Sequence, residues 1–280
     1  GIDEWTPLNT EENYDLKYSM EGALTYSVNT VAVHTLEKAG IENTIALAQR
    51  MGITSELERL PSLALGAADV SMTEMVTAYS CMANNGQSVK PYYLTSIASR
   101  DKVVLENFVP TIGEQVLSKD NATMLVQMLK RVVNEGTGAG MRSRFGVTND
   151  MAGKTGTTQS NADGWFIVMT PNLVVGSWVG ADDPRIHFRT TSLGQGAATA
   201  LPIVATFFQQ VNKDQACVKI SQAYFPELPS NLERKLSCDL YKTDKNLLEK
   251  IFGKKERDST RAFGEKEKKK KGFFKRLFDL

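Results

Sequence analysis

A chain of 280 residues, 41% hydrophobic and 23% charged, has the balance of a folded globular protein, large enough for one sizeable domain or two small ones. Its formal net charge of +1 gives no global pull toward nucleic acid, and no apolar run reaches the ~18 residues of a membrane-spanning helix. Two histidines and three cysteines, Cys81, Cys217 and Cys238, fit neither a zinc pattern nor a Ser-His-Asp triad, so no metal and no cofactor is expected.

The opening GIDEWTPLNT shows no initiator Met and no secretory leader; it reads as mid-protein sequence, and a fragment or processed chain is expected. TVAVHTLEKA (30–39) is a short helix stopped by Gly40, with His34 in a structural role on an apolar helical pattern. NTIALAQRM follows as a second helix stopped by Gly52. Ser71 and Glu74 form a capping box. They open a helix whose Met75, Val76, Tyr79, Met82 and Ala83 recur at three- and four-residue steps, with Cys81 buried inside it. Asn84-Asn85-Gly86 ends that helix. Residues 92–106 are two strands of a hairpin turning at Arg100-Asp101. Ser118 caps the next helix, whose stripe is Leu125, Met128, Leu129, Val132 and Val133, and Gly136 closes it. GWFIVMT and LVVGSWVGA, joined by Pro171-Asn172, are two buried strands. GAATALPIVATFFQQV is helical despite Pro202 near its start.

Helices first, a late antiparallel sheet and a further helix make an α+β domain over residues 1–212. Residues 213–252 form a C-terminal extension in which Pro226 and Pro229 favour extended chain. Residues 253–280 are a basic, disordered tail. Its GFFKRLFDL end either stays solvated or touches anionic lipid. Cys217 and Cys238 pair if the compartment is oxidising and otherwise remain thiols.

The chemistry concentrates in MAGKTGTTQSNADGWF (151–166). Lys154 supplies a cation, Thr155, Thr157 and Thr158 supply hydroxyls, and Gly156 removes a side chain where a ligand must lie against the strand. Such a strand can hold a carboxylate, and its edge can pair with a peptide's backbone. A second element lies far upstream. In ALTYSVNTVAV, Ser27-Val28-Asn29 sits at a loop-to-helix junction, where Ser and Asn are also ordinary helix caps. K-T-G and S-x-N in this order are two of the three elements of penicillin-recognising serine enzymes.

On these residues the chain resembles the transpeptidase domain of class A (bifunctional) penicillin-binding proteins. DEWTPLN, ALTYSVNTVAV, PSLALGAADVSMTEMVTAYSCMANNG, VVNEGTGAGMR and AGKTGTTQSNADGWFIVMTPNLVVGSWVGADDP follow that family's order from Trp5 to Ala181. The resemblance implies a penicillin-binding/β-lactamase-like transpeptidase fold, an antiparallel sheet packed with helices, here incomplete at its N-terminus and so of reduced stability. It implies a D,D-transpeptidase that cross-links peptidoglycan stem peptides of the D-Ala-D-Ala type through a serine acyl-enzyme, a serine that β-lactams also acylate. Ser27 would relay a proton to the leaving amine. Asn29 would bind the substrate's side-chain amide. Lys154 would polarise Ser27 and support the anionic end of the substrate. Thr155 and Thr157 would bind the terminal carboxylate, with Gly156 and Thr158 beside them, and the Thr157 N–H would be half of the oxyanion hole. The location implied is the extracytoplasmic face of the inner membrane. The membrane anchor and the glycosyltransferase part would lie in a longer parent.

The third element, S-x-x-K, occurs once, at Ser99-Arg100-Asp101-Lys102, after S-x-N instead of before it and at a hairpin turn. Its four residues do not share a helix face there, so the nucleophile is expected outside these residues. Two other readings stay open. A D,D-carboxypeptidase or serine β-lactamase uses the same constellation, although class A β-lactamases prefer S-D-N and Val28 departs from it. A pseudo-enzyme would bind stem peptides or proteins without turnover.

Overall fold

In the computed structural model, residues 5–10, 14 and 16–236 are described. Two short helices, α1 (Met20–Tyr26) and α2 (Asn29–Ala39), are joined at Ser27-Val28, and α3 (Ile41–Arg50) follows across Gly40. After a 3₁₀ turn at Pro61–Leu65 comes α4 (Met72–Ala83). Four short strands come next: β1 (Gln87–Val89), β2 (Ser96–Ala98), β3 (Val104–Asn107) and β4 (Ile112–Gln115). Then α5 (Lys119–Asn134) and the single turn α6 (Gly140–Ser143) lead into β5 (Ala152–Thr157), β6 (Asp163–Thr170) and β7 (Leu173–Gly180). The chain continues through α7 (Thr191–Gly194), α8 (Ala200–Val211), α9 (Val218–Ser221) and α10 (Ser230–Leu236).

The three late strands make one antiparallel sheet in the order β5-β6-β7, with Lys154 opposite Ile167 and Phe166 opposite Ser177. Side chains alternate across a strand, and here both faces are covered. Phe166 and Val168 join Leu201, Val204 and Phe208 of α8 in one core. Met169 and Ala152 join Met82 of α4 and Val126, Leu129 and Val132 of α5 in another. A strand covered on both faces reads as unbroken apolar sequence, which is why β6 is visible in GWFIVMT; β7, expected to be buried as well, is only partly covered, with Ser177 buried and Trp178 exposed. β5 is one of the two edge strands and packs against α5.

The capping box forms as its spacing requires. Ser71 Oγ accepts from Glu74 N at 3.2 Å, and Ser71 N donates to Glu74 Oε2 at 2.7 Å. The buried side of α4 runs through Glu74, Thr77, Ala78, Cys81 and Met82. Polar Glu74 belongs inside because Thr54 N (2.7 Å), Thr54 Oγ1 (2.7 Å) and Ser55 N (2.6 Å) all donate to its Oε1. The Ser71 N–H first, and then the Thr54 donors, hold its carboxyl well below the usual carboxylate range. Cys81 is fully buried, and burial pushes its thiol up. His34 departs from expectation. It lies on the solvent side of α2, 61% exposed and 3.4 Å from Glu37, so it plays no part in the core.

The chain stays packed beyond α8. Asn149 Nδ2 donates to Asn212 Oδ1 (3.0 Å) and to Ser221 O (2.7 Å), and Leu232 of α10 is buried. Helices α9 and α10 flank the Pro226–Pro229 stretch, which itself forms neither helix nor strand. The Cys217–Cys238 pairing and the basic tail at 253–280 fall outside the described residues. Among the described residues no helix is long and apolar enough to cross a membrane.

Candidate active site

Residues 27 and 154 meet although most of the described chain separates them. Ser27 ends α1 in the left-handed region, with φ 57° and ψ 54°. Val28 is the N-cap of α2 and makes no side-chain cap bond. Neither Ser27 nor Asn29 is the N-cap expected of such residues: Ser27 is the C-cap of α1 and Asn29 is the first residue of α2. Left-handed geometry costs a non-glycine residue on the order of 1 kcal/mol, and such strain persists where surroundings impose it. What the Ser27 hydroxyl does instead is accept from Lys154 Nζ at 2.7 Å.

Lys154 also donates to Thr155 O at 2.8 Å. Burial lowers its amine from the ordinary 10.5 to about 8, because the charged form loses hydration. At neutral pH it is still an ammonium, but one that releases its proton far more readily than in water. With a Ser27 lone pair occupied by Lys154, the hydroxyl proton is available to a third group. Such an arrangement can pass a proton from Lys154 through the Ser27 hydroxyl to a third group.

The other sequence-derived residues lie around this pair. Asn29 Nδ2 donates to Leu8 O at 2.7 Å, and Thr30 N donates to Asn9 Oδ1 at 3.1 Å, so the stretch before α1 closes over the start of α2. Thr155 and Thr157 share the opposite face of β5 from Lys154. Thr155 is buried and donates to Thr137 Oγ1 at 2.6 Å. Thr157, at the exposed end of β5, accepts from Gly196 N at 3.1 Å and so keeps its own proton for a ligand. The Thr158 hydroxyl accepts from Asp163 N at 3.0 Å while Thr158 N donates to Asp163 O at 3.2 Å, which closes the turn into β6. Any Cβ at Gly156 would stand 3.1 Å from Trp165 Cβ, a tight contact that β6 would have to yield to by a few tenths of an ångström.

Thr137 was not singled out from the sequence. The signal available was a threonine flanked by glycines directly after a helix, in NEGTGAG. Ser99 and Lys102 are confirmed as turn residues. Ser99 Oγ accepts from Val103 N at 3.3 Å, and Lys102 adopts a left-handed φ of 63°. A cavity of about 590 Å³ lies at the far end of β5, lined by Lys130, Arg142, Asp150, Phe225 and Glu227. Among its polar groups Lys130 pairs with Asp150 at 2.6 Å, Phe225 N donates to Asp150 Oδ2 at 2.9 Å, and Arg142 donates to Val147 O at 2.6 Å. The Lys154–Ser27 pair is therefore preferred as the reactive centre. Among the described residues no group of His, Cys, Asp and Glu is arranged to hold a metal ion.

The model of the penicillin binding protein transpeptidase domain matches residues 2–213. The chain belongs to the penicillin-binding protein transpeptidase family. Penicillin-binding protein 1A of Aquifex aeolicus is 35% identical over 214 residues, which are 75% of this chain and 28% of that protein. This transpeptidase sequence thus spans little more than a quarter of that relative. The crystal structure of penicillin-binding protein 1A from Haemophilus influenzae superposes with a TM-score of 0.71 at 25% identity, over 80% of this chain and 38% of that one. PonA1 of Mycobacterium tuberculosis, solved in complex with penicillin V, shares the fold with a TM-score of 0.63 at 22% identity, over 80% of this chain and 62% of that one. The chain shares their transpeptidase fold, and in it mixed helices surround an antiparallel sheet with K-T-G on β5, one of its edge strands.

Proposed function

We propose that this transpeptidase domain takes part in D,D-transpeptidation, cross-linking peptidoglycan stem peptides at the extracytoplasmic face of the membrane. It would act as one part of a longer bifunctional protein that also carries the glycosyltransferase and the anchor. The observation that carries the reading is the 2.7 Å bond from Lys154 Nζ to Ser27 Oγ. It joins the K-T-G and S-x-N elements into one relay, which a chance pair of tripeptides would not form.

In this reading the acylated serine belongs to an S-x-x-K element outside these 280 residues. That serine attacks the carbonyl of the penultimate D-Ala as the lysine of S-x-x-K takes its proton. The bond to the terminal D-Ala breaks, and Ser27 delivers a proton to the leaving amine while Lys154 reprotonates Ser27. An acceptor amine then attacks the ester, which frees the serine and forms the cross-link. Thr155 and Thr157 hold the donor's terminal carboxylate, the Thr157 N–H serves the oxyanion, and Thr158 keeps the turn in place. Asn29 binds the stem peptide's amide. β-Lactams, whose carboxylate and carbonyl mimic that end of the donor, take the same place in this reading; the similar PonA1 is solved in complex with penicillin V.

The test is intact-mass spectrometry after incubation with a β-lactam. These 280 residues alone are expected to form no adduct. A longer form that includes S-x-x-K is expected to form one, at that serine. An adduct on Ser27, or none on the longer form, would overturn the assignment.

A further inference from the structure

We infer that Thr137 is a positioning residue for the donor's terminal carboxylate, its hydroxyl forming with that of Thr155 a two-hydroxyl relay whose direction the bound anion sets; this rests on the reading of the site given above.

Thr137 bridges the two halves of the site. Its N–H donates to Thr25 O at 3.3 Å, two residues before Ser27, and its hydroxyl lies 2.6 Å from that of Thr155, the residue after Lys154. The loop that carries it is tied to α5 and to Thr25. Gly136 N and Gly138 N both donate to Val132 O, at 3.1 and 2.9 Å. A Cβ on Gly136 would run into Thr25 O and stand 2.8 Å from Thr25 Cγ2. Thr25 is itself buried, with its hydroxyl donating to Glu21 O at 2.8 Å, and Arg131 of α5 grips the Glu21 carboxylate at 2.7 Å.

Counting protons gives this placement a function. An anion needs donors. Thr157 has one to offer, since its oxygen already accepts from Gly196 N. Thr155 does not in the arrangement observed, because its proton goes to Thr137. To serve an anion, Thr155 must turn that proton outward. Its oxygen, on a residue only 8% exposed, then needs a donor in exchange, since a bare buried acceptor is costly. Thr137 can rotate its own hydroxyl to donate to Thr155, giving a chain in which each bond polarises the next. A valine there would fill nearly the same space with no proton to give, while a serine would keep the relay.

The whole chain, isotope-labelled, is titrated with N-acetyl-D-alanyl-D-alanine and with its C-terminal carboxamide, following the amide signals of residues 156–158. Thr137→Val is expected to weaken the carboxylate peptide by about tenfold and leave the carboxamide peptide unchanged, and Thr137→Ser to stay within about twofold. If Thr137→Val does not fold, Thr137→Ala carries the same comparison. Undiminished or tighter carboxylate binding by the variant would show that Thr137 competes for the Thr155 proton, and would overturn the relay. An equal loss for both peptides would make Thr137 a packing residue only. A wild-type chain with no preference for carboxylate over carboxamide would overturn the proposed function of the site itself, and the relay with it.

Discussion

Ser27 and Lys154 hold each other in states neither would choose in water. Ser27 is left-handed at a helix junction where glycine is the usual occupant. Lys154 is partly buried, and loss of hydration lowers its amine. The ammonium form of Lys154 keeps two oxygen acceptors, Ser27 Oγ and Thr155 O. Removing one of them weakens the charged form, so Ser27→Ala is expected to move the lysine further down from about 8. Shifts of ¹³Cε-labelled lysine followed against pH would show it, and an unchanged titration would mean the serine is a bystander. The same depression has a stability consequence of definite sign. Between about 8 and 10.5 the unfolded chain binds a proton at this lysine that the folded chain does not. Lys154 therefore adds stability as pH rises through that window, and its burial penalty is constant below it.

At the scale of elements, local chemistry was legible and distant pairing was not. The Ser71–Glu74 box shows in the sequence because both bonds span three residues. That the same carboxylate also fastens Thr54 and Ser55, some twenty residues upstream, no spacing rule reveals. The strands β6 and β7 were visible as long apolar runs, whereas β1 and β4 are three and four residues long and pair across a 22-residue gap. Helix α1 is only seven residues, which hid the helical turn that presents Ser27. The K-T-G and S-x-N residues were legible as motifs, but the Thr137–Thr155 bond joins a loop to a strand 18 positions later and leaves no pattern. Glu74 gives the sharpest test at this scale. Its depressed carboxyl contributes stability that is fully present above the ordinary value of 4.5 and is lost as pH falls below it. Glu74→Gln is expected to lower stability by roughly 2 kcal/mol at pH 7. It should also flatten the acid limb of a urea-midpoint profile between pH 5 and 3. A variant with an unaltered acid limb would show that the 54–55 turn holds without the charge.

Across the whole molecule, burial is uneven. The layers around β5-β6-β7 take up Phe166, Met169, Leu201 and Phe208, while the arm between β1 and β4 buries almost nothing. Both strands of its hairpin are exposed along their whole length, and Tyr93 (82%), Leu105 (67%) and Val109 (75%) face solvent. A two-stranded hairpin on its own is marginal in water, and an apolar surface of this kind promotes association. Since Val89 pairs with Ile112 in an antiparallel register, the arm can be excised at its base. Joining residue 89 to residue 112 by an Asn-Gly turn keeps the strand pair and removes the hairpin. Because so little apolar area is lost, the melting temperature is expected to change by no more than about 3 °C. Self-association measured by sedimentation should fall, and the Lys154 titration should be unmoved, because the Lys154–Ser27 bond involves only the α1 end and β5. A drop of about 10 °C or more would instead make the arm part of the cooperative fold, with its apolar side chains supporting β1 and β4 at the end of α4.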